Sequence, residues 1–281
     1  MGVRIITDTS CDLPQEQLEK YNIQMVPLKI TFDDGKTYLD RFEISPSVFV
    51  DKMINSRTLP KTSAPDPETF ISCFKKGLKE SGEVLFVSLS SGLSSTYQIA
   101  MLARKTLGSK KICVFDSLTA SLGTGIAAIK AARMAASGLN AQAIFDRLSS
   151  IRKNREVLFT LDTLENVVKG GRLSKLQGLA GDVLNIKPIL RGNDKGVPVI
   201  VEKVRGRSKA IHRLVSMLGE FSDPNIGDRL IGVSHVRCPE DASAIARAIE
   251  DRYQPKEPII ISEMGATIGV YAGVGGLMIN C

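Results

Sequence analysis

From Ser88 to Thr96 the chain reads Ser-Leu-Ser-Ser-Gly-Leu-Ser-Ser-Thr, and six of these nine residues carry hydroxyls. A hydroxyl can donate a hydrogen bond to an anion without bringing a competing charge. Capping a following helix needs only one Ser, which leaves the others for a ligand. The run lies where an apolar stretch, residues 83–89, gives way to a helical pattern over residues 96–107. Free N–H groups and the positive end of a helix dipole meet at such a junction. An anion or carboxylate site centred on Ser94 and Ser95 is therefore expected. A second hydroxyl pair, Thr62 and Ser63, sits in Leu59-Pro60-Lys61-Thr62-Ser63-Ala64-Pro65-Asp66-Pro67. So many prolines argue against regular structure there. A rigid loop of this kind suits a clamp on a ligand. It suits equally a simple turn ahead of a helix over residues 68–79, with Asp66 as its cap.

Other chemistries find less support. Ser94 as the nucleophile of a hydrolase or acyl transferase is the alternative, but Gly92-Leu93-Ser94-Ser95-Thr96 ends in Thr where G-x-S-x-G needs Gly. The chain has two histidines to serve as base, His212 and His235. The first falls inside a helical pattern. The second ends a strand, with no Asp assignable as its partner. Gly123-Thr124-Gly125-Ile126-Ala127-Ala128 fits G-x-G-x-x-A. Its glycines come well after the preceding strand rather than in the turn, so close packing of a small-residue helix accounts for them better than a dinucleotide. No G-x-x-x-x-G-K-[ST] phosphate loop is present. In Lys169-Gly170-Gly171-Arg172-Leu173-Ser174 the two glycines give a sharp exit between helices, from which Arg172 projects.

One recurring unit must position these groups: a short apolar run, a turn rich in Ser, Thr, Asp or Gly, then a helix. It appears at residues 3–7 leading to a helix over 15–21, at 83–89 leading to 96–107, and at 112–115 leading to a helix through 134. Strands and helices alternating at this length imply βαβ units and a parallel sheet. The second half reads as strands at 157–160, 197–205, 229–235 and 258–263. Its helices fall at 164–169, 174–184, 208–221 and 239–253, and a Gly-rich tail follows. The charged stretch 152–156 separates the two patterns and suggests a domain change, giving units 1–155 and 156–281.

Composition narrows the function further. The 281 residues are 43% hydrophobic and 24% charged, as in a soluble globular protein. Aromatics are 5% with no Trp, which disfavours base-stacking platforms for nucleic acid. The net charge of +7 is scattered rather than gathered in a tail, so most of it reads as solvated surface. Five cysteines without a CxxC pair give neither a disulfide framework nor a zinc site. The first residues start directly in a strand and no apolar run reaches bilayer length, so a cytoplasmic protein is expected.

Taken in order, several segments resemble the DegV family, which includes the fatty-acid-binding subunits called FakB. They are Ile6-Thr7-Asp8-Thr9-Ser10-Cys11-Asp12-Leu13, Lys61-Thr62-Ser63, Ser91-Gly92-Leu93-Ser94-Ser95-Thr96-Tyr97, Gly170-Gly171-Arg172-Leu173-Ser174, Leu184-Asn185-Ile186-Lys187-Pro188 and Val204-Arg205-Gly206-Arg207. The resemblance implies an α/β fold: a parallel-sheet N-terminal domain, a C-terminal α+β two-layer domain, and a ligand tunnel between them. It further implies a long-chain fatty acid in that tunnel, its carboxylate held at Thr62, Ser94 and Ser95, with Ser63 beside them and Arg205 in a basic loop near the head group. It implies a carrier rather than an enzyme, with no cofactor. A partner ATP-dependent fatty-acid kinase would form the acyl phosphate for phospholipid synthesis, with no nucleic acid and at most transient membrane contact. One departure stands out. The family's C-terminal pattern is close to G-x-x-I-G-x-H-x-G-P-G, whereas this chain has Tyr271 at the His and Val274 at the Pro. Tyr271 can donate a hydrogen bond to the acid but carries no positive charge.

Overall fold

The computed structural model describes residues 2–174, 185–221 and 225–281. The first sheet has four parallel strands in the order β2-β1-β6-β7, namely β1 (Gly2–Asp8), β2 (Gln24–Val26), β6 (Gly82–Ser88) and β7 (Ile112–Asp116). β6 is buried from Val84 through Ser88, as a strand covered on both faces must be. One face carries α3 (Pro67–Ser81) and α4 (Thr96–Leu107). There Phe70 and Phe74, one helical turn apart, meet Phe86 of the sheet. The other face carries α5 (Leu122–Ala136) and α6 (Ala141–Ile151). α3 starts where expected, with Asp66 accepting from the Thr69 amide at 2.9 Å and Pro67 in the first turn.

Between β2 and α3 the chain makes an excursion that periodicity does not reveal. It contains β3 (Lys29–Thr31), β4 (Thr37–Leu39), α2 (Pro46–Ile54) and β5 (Lys61–Ser63). The last of these corrects the irregular loop expected there. Thr62 pairs with Ile30 in an antiparallel ladder, and the strand lies on the edge of a three-stranded sheet. Pro60 and Pro65 flank the three paired residues instead of interrupting them, which an edge strand tolerates.

The second large sheet has six strands in the order β10-β9-β8-β13-β11-β12. They are β8 (Val157–Thr160), β9 (Ile186–Gly192), β10 (Pro198–Arg205), β11 (Gly232–His235), β12 (Ile260–Glu263) and β13 (Leu277–Asn280). Only the β11–β12 pairing is parallel. α8 (Arg207–Phe221) and α9 (Pro239–Tyr253) cover one face, and the short α7 (Glu165–Lys169) follows β8. The expected Gly-rich tail is in fact α10 (Ala266–Ala272) followed by a strand at the centre of the sheet. Its glycines serve the turns at 273–276 and leave the apolar runs on either side free to form elements. Of the helix expected over 174–184, residues 175–184 lie outside the described residues.

The strands of the parallel sheet come from residues 2–116 and those of the six-stranded sheet from 157–280. The fold is thus the mixed α/β architecture expected. A shared apolar cluster joins its parts: Ile30 and Phe49 of the excursion pack with Phe159 of β8, Met278 of β13 and Ile268 of α10.

Candidate functional site

A cavity of about 100 Å³ runs through this shared cluster. Its lining is mostly apolar, including Leu28, Leu93, Phe159, Val167, Ile268 and Met278. Of its polar side chains Thr119 and Thr267 are buried in the wall, and four others converge on the space: Thr62, Ser94, Arg172 and Tyr271. All four are half-buried.

Each arrives by a different element. β5 brings Thr62 and the last turn of α10 brings Tyr271, and their hydroxyls meet at 2.5 Å. Arg172 follows the glycine pair after α7. Its guanidinium stacks 4.5 Å from the centre of the Tyr271 ring, while donating to the carbonyls of Leu93 at 3.2 Å and Gly170 at 2.7 Å. The tyrosine fits because residue 170 is glycine. A Cβ there would lie 2.4 Å from two ring carbons. Sequence inspection noted that Arg172 projects but assigned it no role. The pairing of a glycine exit with an arginine was the available signal.

The hydroxyl-rich turn behaves differently from expectation in one respect. Most of its amides are taken up inside the protein. Those of Leu89, Ser90, Ser91, Gly92, Leu93, Ser94 and Thr96 are all bonded within the protein, Leu89 and Ser91 to the carboxylates of Asp8 and Asp116. The hydroxyls also divide. Ser88 and Ser90 are buried and donate to the carbonyls of Leu89 and Gly196. Ser94 Oγ lies 2.9 Å from the Thr96 hydroxyl and accepts from the Thr96 amide, so it takes the first amide of α4 while still lining the cavity. Ser95 is exposed, as are Ser63 on β5 and Arg205 at the end of β10, and none of the three lines the cavity. The structure therefore gathers Thr62, Ser94 and Tyr271 around one space, adds Arg172, and leaves Ser63, Ser95 and Arg205 outside its walls.

No histidine joins Ser94. His212 is exposed, with Nδ1 against the Ser208 carbonyl. His235 is buried at the end of β11, where burial lowers its pKa and Nδ1 accepts from the Cys238 amide. The Ser94 nucleophile thus lacks a base at hand. Among the described residues no group of His, Cys, Asp and Glu could hold a metal ion, and no helix is long and apolar enough to cross a membrane.

Three buried carboxylates behind the cavity hold its wall in place, and sequence reasoning missed their role. Asp40 accepts from the Ala266 amide at 2.8 Å, the Thr267 amide at 3.0 Å and the Thr267 hydroxyl at 2.5 Å. Asp12 accepts from the Gly265 amide at 2.8 Å and the Ser121 hydroxyl at 2.6 Å. Asp8 takes the Ser10 amide and hydroxyl besides Leu89. Burial pushes Asp8 up to about 6 and Asp12 up to about 7 despite these bonds, and it raises Asp40 as well.

The same arrangement of sheets is found in known proteins. The DegV family model, described as that of an uncharacterised protein, matches residues 2–280. A DegV domain-containing protein of Listeria innocua is 35% identical over 277 residues, 98% of this chain and 96% of that one. Among solved structures, DegV of Bacillus subtilis, a fatty acid binding protein, is 31% identical with a TM-score of 0.86, over 100% of this chain and 98% of that one. A DegV family protein of Ruminococcus gnavus, refined with vaccenic acid, is 26% identical with a TM-score of 0.90 over 99% of each chain. With the family model spanning almost every residue and a relative of this identity aligned end to end, the chain belongs to the DegV family.

Proposed function

We propose that this chain binds a long-chain fatty acid in the cavity, with the carboxylate at Thr62, Ser94 and Tyr271 and the acyl chain along the apolar walls. The observation that carries this reading is the lining itself: one mostly apolar cavity on which the three half-buried hydroxyls of Thr62, Ser94 and Tyr271 and one guanidinium converge. Each buried CH₂ contributes about 0.8 kcal/mol, so a long chain supplies most of the affinity. An ionised carboxylate leaving water needs donors or an opposite charge. The hydroxyls and Arg172 answer that need. Ser63, Ser95 and Arg205 are assigned to the rim, where they would meet a partner rather than the acid. The binding of fatty acids by the Bacillus subtilis and Ruminococcus gnavus proteins supports the same reading.

On this proposal residues 1–155 supply the hydroxyl turns and 156–281 cover the acyl chain. The chain is a carrier in the cytoplasm, without a cofactor. It presents the bound acid to an ATP-dependent fatty-acid kinase, whose product feeds phospholipid synthesis. Native mass spectrometry of the purified protein tests the binding. A bound mass equal to one long-chain acid is expected. Protein that carries no such mass, and takes up none when mixed with oleate or palmitate, overturns it. Incubation of the loaded protein with such a kinase and ATP tests the carrier role, with acyl phosphate as the expected product.

A further inference from the structure

A second cleft, of about 300 Å³, lies across Thr119 and Val157, which line both cavities. Four half-buried cations line it: Lys130 of α5, Arg152 and Arg155 ahead of β8, and Arg229 ahead of β11. The three guanidiniums are fixed by backbone carbonyls. Arg152 donates to Asp116 O at 2.8 Å and Arg229 to Asn154 O at 2.7 Å. Arg155 donates to Leu118 O, Arg152 O and Asn193 O, each at 3.0 Å. The two acidic side chains that line it are committed elsewhere, the buried Glu156 to Arg191 at 2.6 and 2.7 Å and Asp228 to Lys256 at 2.7 Å. Among the described residues, no ion pair joins any of the four cations to a side-chain carboxylate.

Two further observations mark the cleft as unsatisfied. Burial, with Arg229 and Arg133 nearby, lowers the pKa of Lys130, and Cys281 is the one group acting in the opposite direction. Behind Gly123 of the cleft wall, Asn280 is fully buried, and neither atom of its amide has a hydrogen-bond partner. Its Oδ1 lies 2.7 Å from where a Cβ on Gly123 would stand, and Gly123 lines the cleft. Like charges held together at low exposure repel one another, and an ion of two negative charges with several acceptor oxygens relieves that repulsion. Fixed guanidinium forks match phosphate oxygens in geometry, and an ammonium adds a point charge.

We propose that this cleft is a binding site for a small soluble phosphate-bearing anion, gripped by Lys130, Arg152 and Arg229 and separate from the fatty-acid cavity. Isothermal titration at low ionic strength with inorganic phosphate and, separately, with glycerol 3-phosphate tests it on the full chain. The two arms distinguish the free ion from an ester. Saturable binding of either at one site per chain is expected, weakened about tenfold or more by Lys130→Met and retained by Lys130→Arg. Lys130→Met keeps an apolar stem of similar length, and fatty-acid binding measured on the same samples stays unchanged in both variants. Absence of saturable binding of both anions up to about 10 mM overturns the proposal, and so does binding that Lys130→Met leaves intact. Neither result depends on whether the acyl cavity is loaded.

Discussion

Tyr271 stands where the family pattern has histidine, and its surroundings explain how it can do so. The ring is wedged against Gly170, roofed by Arg172 and bonded to Thr62 through its hydroxyl. The positive charge that a histidine would bring on protonation is here supplied next door by the guanidinium of Arg172. Removing the tyrosine hydroxyl alone should therefore cost one hydrogen bond to the carboxylate while keeping the stack. A hydrogen bond to a charged group contributes about 1.5–3 kcal/mol. Tyr271→Phe and Thr62→Val should accordingly each weaken fatty-acid binding about tenfold to a hundredfold, with thermal unfolding little changed. Displacement of a fluorescent fatty acid reads this out. Affinity in both variants equal to the parent would remove these two residues from the head-group site. Tyr271→His should make binding tighten as pH falls through the imidazole range, a dependence that the parent should lack.

At the level of elements, legibility followed distance along the chain. Three strands of the parallel sheet, β1, β6 and β7, and the helices α3, α4 and α5 were readable because each is a continuous buried run or a helix with its apolar face inward, such as Phe70 and Phe74, whereas β2 and α6 were not foreseen. The cap at Asp66 was readable because it acts three residues away, on Thr69. β3, β4 and β5 were not, since three residues carry no period. α10 was hidden among glycines, and the acids that hold it lie far off in sequence: Asp12 reaches Gly265 and Asp40 reaches Thr267. The hydroxyls of Thr62 and Ser94 could be nominated from type and context, but the choice of Ser94 over Ser95 depends on which way a single turn faces. A contrast follows. Asp66→Ala should cost about 1 kcal/mol and leave fatty-acid binding alone, because α3 lines no part of the cavity. Asp40→Ala should cost about 3 kcal/mol, since it strands three buried donors. It should also weaken binding, because Thr267, Ile268, Tyr271 and Ala272 of α10 all line the cavity. Urea unfolding beside acid titration separates the two. Equal binding in Asp40→Ala and the parent would show that the cavity wall does not depend on that cap.

For the molecule as a whole, the buried carboxylates set an unusual dependence on pH. Asp8 and Asp12 each sit well above their ordinary 3.8, at about 6 and about 7, and Asp40 is raised too, in each case mainly by burial. Between pH 4 and pH 7 the folded chain therefore holds protons that the unfolded chain has released. Stability must fall as pH rises through that window, by up to about 1.4 kcal/mol per pH unit for each such group. Exposed acids act oppositely: arginine beside Glu257 and lysine and threonine bonds at Asp66 lower those pKa values, so their contribution is present near neutrality and is lost only at strongly acid pH. His235, whose pKa burial lowers, opposes the buried acids below about pH 6.5, but three carboxylates outweigh one imidazole from about pH 5 to 7. The midpoint of thermal unfolding should accordingly rise as the protein is taken from pH 7.5 to 5.5. Asp12→Asn isolates the cause, because an amide imitates the protonated acid: its oxygen still accepts from Gly265 while its NH₂ can donate to Ser121. That variant should show a shallower slope and be at least as stable as the parent at pH 8, where the parent must keep Asp12 ionised in a buried site with Arg41 3.7 Å away. Calorimetry across pH 5 to 8 on both proteins decides the matter. A parent whose midpoint climbs with pH over this range, or an Asp12→Asn slope as steep as the parent's, would mean that these carboxylates are ionised and adequately paired where they lie.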